Sequence, residues 1–557
     1  MKKYVRLPII IGICVFFVTF SLVEASSLFS HKESRAFSQK AATASGKTLY
    51  IDTYSADLTI TASEENAVTV EAIVEVSDDD EEIVKFFLDE TQLFLEPYKG
   101  GLKLRVASPM DELRKPGKPP KEGIFRRFYK GNKFEFKLSY SARLTIRIPS
   151  QHGLDIKNAY GDILIRGVSG DHHVINRSGK VRLYECSGEL ELSNSYDSVE
   201  IPGFKGPINI KNSSGEVDIK DIDGDVTIEN SYAPVHFENI EGILIINSKS
   251  AKVTGNNVTG DCEITTSYEE IDVKEIKKDL TIKGSSCKIT AQDISLDVHI
   301  ESSYNPVTIM RVGGSLRVEC NSCAVTADDI GSNVFIRSSY DAVTLSNIGG
   351  SIEIESPSSP VNVRDIEGNV TIVSSYDKVI VTGVRGWLDV RSQSAGVIAS
   401  DIQKDTSIVT SYDRVEVSRI GGNLSIDAGS SSILAEDIYG DVKAKNTYGS
   451  IVLRRTEGSI SAHGQSSRIE VEQIKNLPDK SRIELVTNYE PVILSLPERV
   501  DVTISVLSGG KISSEFPVYH VKSQAEALDE ELSKGKVNIY IETNGNISIK
   551  SSGRTKN

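Results

Sequence analysis

From about residue 155 to 474 the apolar positions follow two superposed rhythms. Within short segments they alternate, as in Val226 and Ile228 or Val235 and Phe237, which is strand spacing. The segments themselves recur every 18 residues. Tyrosine stands at 160, 196, 232, 268, 304, 340, 376, 412 and 448, a 36-residue step, with serine midway at 178, 214, 250, 286, 322, 358, 394 and 430. Three residues after each marker lies Val or Ile at every repeat, from Ile163, Val181 and Val199 to Ile451 and Ile469. A second column runs Val168, Cys186, Phe204, Ile222 and Ile240 on to Ile474, apolar except at Thr456, with glycine two residues beyond it at 170, 188, 206, 224, 242 and 260 and intermittently thereafter. A unit this short cannot bury its own apolar face and must be covered by its neighbours. The pattern predicts an all-β parallel β-solenoid (a β-helix) of about 18 coils, each one 18-residue unit of a 36-residue Tyr/Ser double repeat. Stacked at roughly 4.8 Å per coil it is a rod about 85 Å long. The glycines are expected to supply positive φ at a corner.

The repeat occupies residues 151–474, and the flanks read as caps that protect open coil edges. Residues 26–45, rich in Ser and Ala, read as a linker. In 46–150 strand alternation at Leu49, Ile51, Leu58 and Ile60 is followed by a helix start at Ser77 and its acids Asp78–Glu82, the buried face being Ile83, Val84, Phe86, Phe87 and Leu88. Residues 110–133 form a basic, proline-rich loop suited to solvent or to an anionic partner. After Ile469 the spacing slips, since Tyr489 arrives five residues late, and 475–557 is a second β-rich cap with a helical patch at 524–532.

Composition narrows the function. A net charge of −15 argues against nucleic acid. With 7% aromatic residues and a single tryptophan, Trp387, no sugar-stacking platform stands out. Lys2, Lys3 and Arg6 precede an apolar run from Leu7 to Val23, and Val23-Glu24-Ala25 fits a cleavage site, so residues 1–25 read as a signal peptide of an exported chain or as an uncleaved membrane anchor. Ile13 before Cys14 does not fit a lipoprotein site.

The Gly-Asp-Val-x-Ile coils, the leader and three closing segments carry a resemblance. The segments are Pro491-Val492-Ile493-Leu494-Ser495-Leu496-Pro497, Ser508-Gly509-Gly510-Lys511-Ile512 through Val518, and Thr543-Asn544-Gly545-Asn546-Ile547. With them the chain resembles a bacterial adhesin-named family, a domain of unknown function, and is similar to head-GIN β-solenoids. The resemblance implies a repeat protein at the cell envelope or secreted, and it brings no catalytic residues.

Candidate chemistry is sparse. A polar column two residues before each marker, Asn158, Asn176, Asn194, Asn212 and Asn230, then Ser and Thr, shares the inward parity of Val226 and Ile228 and predicts a buried ladder of amides bonding from coil to coil. Tyr196, Tyr232, Tyr268, Tyr304, Tyr340, Tyr376 and Tyr412 have two readings, a corner packed by large/small alternation with serine, or an exposed stripe for polysaccharide or protein. Aspartates at 221, 293, 329, 365, 401 and 437 precede the core Ile and are expected to cap backbone N–H groups, with Asp221–Asp225 the densest acidic cluster. Cys186 and Cys262 read as core, and Cys320 and Cys323 as incidental thiols or one local bridge. The eight histidines lack any metal or catalytic spacing. No catalytic, cofactor or metal site is assigned. The expected function is a non-enzymatic exported solenoid that presents a long repetitive surface for adhesion or envelope interaction. The alternatives are a periplasmic or membrane-attached scaffold, which could associate end to end, and a carbohydrate-active β-helix enzyme.

Overall fold

The computed structural model describes residues 30–110, 129–130, 133–134, 138–527 and 536–552. It is a parallel β-solenoid of about 20 turns with an 18-residue repeat and β-rich ends. Each coil contributes two strands, for example Val235–Ile240 and Leu244–Ser248. Identical repeat positions stack in register: Val217 on Val235 on Val253, and Val226 on Leu244 on Cys262. The alternation seen in the sequence points Val235, Phe237, Ile240, Leu244 and Ile246 into one continuous core, where each is fully buried. Burial of this kind contributes about 1.5–3 kcal/mol per side chain, and the stacking repeats it at every turn.

The first strand of a coil would carry residue 240 to the wrong face by simple alternation. One residue in left-handed conformation corrects the parity. Asp221, Asn239, Asn257 and Asp293 occupy this position with φ of 52–59°, each just before the core Ile or Val. Asn and Asp tolerate that region better than other residues with a Cβ. The glycine column does the expected job in its first coils, where Gly170, Gly188, Gly206 and Gly224 lie at positive φ, but not further along, where Gly242 and Gly260 do not. A Cβ on Gly260 would lie 2.4 Å from the Gly242 carbonyl oxygen of the coil below, so close stacking excludes a side chain.

The ends depart from the repeat in opposite ways. At the N-terminus Lys47–Asp52 and Ala56–Ser63 already form a coil, with Leu49 against Leu154 and Leu58 against Ile163. Gly101–Ala107 and Ser139–Pro149 stack outside it. Antiparallel strands then close the edge: Ala67–Asp78 pairs with Ser139–Pro149 and with His31–Ala42. Most of the segment read as a linker is thus a strand. Its side chains are mainly exposed and its backbone pairing holds it, so no apolar alternation marks it. The helix is Glu81–Glu90, capped by Asp80, whose carboxylate accepts the Glu82 N–H at 2.9 Å. Ser77 and Asp78 still belong to the preceding strand. The basic loop lies largely outside the described residues, and so does the leader.

At the C-terminus the order in space differs from the order in sequence. Arg482–Val486 stacks on Ile460–Glu472, and Val537–Thr543 stacks on Arg482–Val486. Val502–Ser508 lies outside Val537–Thr543. The last strands of the chain are therefore inserted beneath a coil that precedes them in sequence. The helical patch is described over Gln524–Ala527.

Candidate functional site

The turn after each second strand carries the conspicuous polar residues. Asn158, Asn176, Asn194, Asn212 and Asn230 are buried there. Their amides do not bond one another as the ladder reading expects. Asn212 Nδ2 donates to Gly215 O at 2.8 Å in its own coil and to Asp197 O at 3.2 Å in the coil below, and Asn194 and Asn230 repeat the arrangement. Each amide therefore fastens its own turn and ties it to the previous one, satisfying carbonyls that the sheets leave unpaired. Ser338 keeps the bond to the coil below, and Thr410 keeps it at 3.0 Å with a longer one, 3.4 Å, to Tyr412 O in its own turn. In one coil a covalent link joins the same two repeat positions, the disulfide Cys320–Cys323. Cys186, Cys262 and Cys287 are buried free thiols, and burial pushes Cys262 up to about 12.

The other turn is fastened by a column that sequence reading passed over. Asp225 Oδ1 accepts the Ile243 N–H one coil above at 2.8 Å, and Asp297, Asn333, Asp405 and Asp441 do the same for Ser315, Ser351, Asn423 and Ser459. Backbone capping was expected of the aspartates at 221, 293, 329, 365, 401 and 437. These hold the left-handed position instead, and several bond the side chain one coil on. Asp221 takes Asn239 Nδ2 at 2.7 Å, and Asp293 and Asp401 make two-pronged pairs with Arg311 and Arg419. Asp437 is gripped by Arg455 at 2.9–3.0 Å and by Lys475 at 2.8 Å, which hold its carboxyl at about 2. The 36-residue rhythm of Asp with Arg 18 residues later could have signalled these pairs. In the cluster 221–225, Asp221 and Asp225 already have these partners, and among the described residues no group of three or more His, Cys, Asp or Glu side chains could hold a metal ion.

The seven tyrosines from Tyr196 to Tyr412 form an exposed stripe, 58–69% accessible, and Tyr448 extends it. Inward parity does not survive the turn at residues 231–234, so a side chain two positions beyond buried Asn230 points into solvent. The alternating serine coils leave two coil rises, roughly 10 Å, between rings. Asp197, Glu269, Asp341, Asp377 and Asp413 directly follow their tyrosines and give the stripe acidic character.

Beside the capping column runs a groove that sequence reading missed entirely. Its first section, about 680 Å³, extends from Asp279 to Trp387, and its second, about 540 Å³, from Trp387 to Glu484. From Asp279 to Ser459 it follows the axis for ten coil steps, about 48 Å. Trp387 is 40% exposed at the junction of the sections, its backbone N–H donating to Asn369 Oδ1 at 3.1 Å. Phe335 in the first section is covered by the Arg317 guanidinium, 4.3 Å from the ring centre. Asp279, Asp297, Glu353, Asp405, Asp441 and Glu484 outnumber Arg317, Lys443 and Arg482 among the lining groups. The signal was available in principle, since Trp387 is the one aromatic residue in a column otherwise made mostly of Asp, Asn and Ser.

No family model, curated protein or solved structure matches the chain.

Proposed function

We propose that this is an exported, non-enzymatic rod that engages an extended surface ligand, polysaccharide or protein, along its tyrosine stripe, in adhesion or cell-envelope interaction. The observation that carries the reading is the line of exposed tyrosines at a constant two-coil spacing. Tyrosine offers a large amphipathic contact with few torsions to immobilise, and interface hot spots are enriched in it. Outside a binding surface, strict recurrence of an exposed aromatic would serve no packing purpose. Export is supported by the charged and apolar leader of residues 1–25 and by the Cys320–Cys323 bridge, since disulfides persist in oxidising compartments. The resemblance of the closing segments to the adhesin-named bacterial family points the same way.

Two measurements test this reading. Protease added to intact cells should digest the solenoid while a cytoplasmic control survives. Protection until the envelope is opened would instead favour the scaffold reading. Labelled mature protein should bind envelope fragments of the producing cell saturably, and Tyr→Ser at 268, 304, 340 and 376 should abolish most of that binding. Unchanged binding by this variant would remove the stripe from the account.

A further inference from the structure

The groove divided by Trp387 lies at the turn before the second strand of each coil, whereas the tyrosines lie at the turn after it. The intervening strand of about five residues separates the two surfaces by roughly 16 Å. The groove is thus a separate feature, and what could occupy it can be argued by elimination. It is open and runs straight along the axis, so its shape suits an extended polymer better than a compact small molecule. A peptide strand would need an unpaired sheet edge, but here the backbone is consumed by stacking: Leu316 N–H donates to Asn333 O, Val370 to Trp387 O and Leu388 to Asp405 O. A nucleic acid or other polyanion would meet an excess of carboxylates. The groups that remain for contact are hydroxyls, amides and carboxylates at coil spacing, with His299 and the fewer cations Arg317, Lys443 and Arg482, together with one available indole face. Among the described residues no ring or cation stacks on Trp387. This is the chemistry that recognises sugars, with apolar ring faces on an aromatic plane and hydroxyls on fixed polar groups.

We infer that the groove is a binding site for a glycan chain free of carboxylate and sulfate groups, with one sugar ring stacked on Trp387 and flanking sugars hydrogen-bonded to the Asp/Asn/Ser column on either side. Asn369 is a positioning residue, because its side chain holds the Trp387 backbone. The site stands independently of the tyrosine stripe and would give the rod a second, sugar-specific surface.

Trp387 is the only tryptophan, so its emission reports this one place. Mature protein is titrated with cellohexaose, chitohexaose, maltohexaose and, as the anionic counterpart, hexagalacturonate. At least one neutral hexaose should change the emission saturably, its disaccharide should bind at least tenfold more weakly, and hexagalacturonate should leave the signal unaltered. By calorimetry Trp387→Ala should weaken the neutral hexaose at least tenfold while Trp387→Phe restores part of the affinity. Thermal melts of both variants check that the coil is intact. The tyrosine-to-serine stripe variant should titrate like the parent. Three results would overturn the inference: no saturable change with any neutral hexaose at millimolar concentration, hexagalacturonate binding as well as the neutral chains, or equal affinity in a folded Trp387→Ala protein.

Discussion

Placing a carboxylate at Val307 gives the most stringent test of the coil register. Val307 is fully buried, stacked between Ile289 below and Val325 above. In Val307→Asp the acid gains no partner and must be protonated or disrupt the coil. A fully buried carboxyl has its pKa raised by up to 3–5 units. Its ordinary value is near 3.9, so at pH 7 the native state carries a penalty of about 1.36 kcal/mol for each of roughly three units, about 4 kcal/mol in all. Lost packing and an unsatisfied neutral carboxyl add about 2–4 kcal/mol at any pH. Because the folded pKa is raised, the charge penalty is absent below the unfolded pKa and grows as pH rises toward the folded one. Val307→Ala, which has the packing loss without the acid, is the control. Hydrogen exchange at residues 289–330 is the proper readout, since a long repeat array need not unfold as one unit. Val307→Asp should exchange faster than Val307→Ala by a margin of about 1–3 kcal/mol at pH 4, from the unsatisfied neutral carboxyl, and, after correction for intrinsic exchange, several kcal/mol larger at pH 7. A margin independent of pH, or parent-like protection at pH 7, would refute the inward placement.

Other positions give sharp expectations. Gly260→Ala should destabilise its coils by at least about 2 kcal/mol, because the Cβ overlaps Gly242 O at 2.4 Å, whereas Gly383→Asn, at φ 73° above Asp365, should be neutral or stabilising by up to about 1 kcal/mol; comparative melts decide both. Asp437→Asn should lower the melting temperature at pH 6. The carboxyl is depressed from 3.8 to about 2, so its contribution is complete above 3.8 and disappears as pH falls toward 2; the melts of parent and variant should therefore converge over that interval. Reduction of Cys320–Cys323 removes a short closed loop worth about 2 kcal/mol by chain entropy, and exchange at residues 316–327 should rise on reduction without spreading to distant coils.

The apolar columns were legible because burial at every coil imposes the same residue type at the same repeat position. Val235, Ile240 and Leu244 announce their role without any knowledge of the turn geometry. The turns were harder. Parity predicted that Asn230 points inward, and it does, but extending parity through residues 231–234 put Tyr232 in an ambiguous place that the structure resolves outward. The left-handed position escaped notice because Asp221, Asn239, Glu275 and Arg311 share a backbone conformation and not a chemical class. His31–Ala42 was hidden because an edge strand can be held by its backbone alone. The groove arises from side chains in coils 18 residues apart, and only stacking brings Asp297, Asn333 and Trp387 onto one line.

The central claim is that the rod binds through repetition, and shortening it by whole repeats tests this directly. Deleting residues 197–268 joins Tyr196 to Glu269 in register, removing four coils together with Tyr232 and Tyr268 while sparing the Trp387 groove. Retention of the shortened rod on envelope fragments should fall at least tenfold, as expected when linked contacts are lost, and Tyr232→Ser with Tyr268→Ser in the full-length rod should reproduce the loss. A shortened rod that folds and is retained as strongly as the parent would show that the tyrosine repeat is not the binding surface.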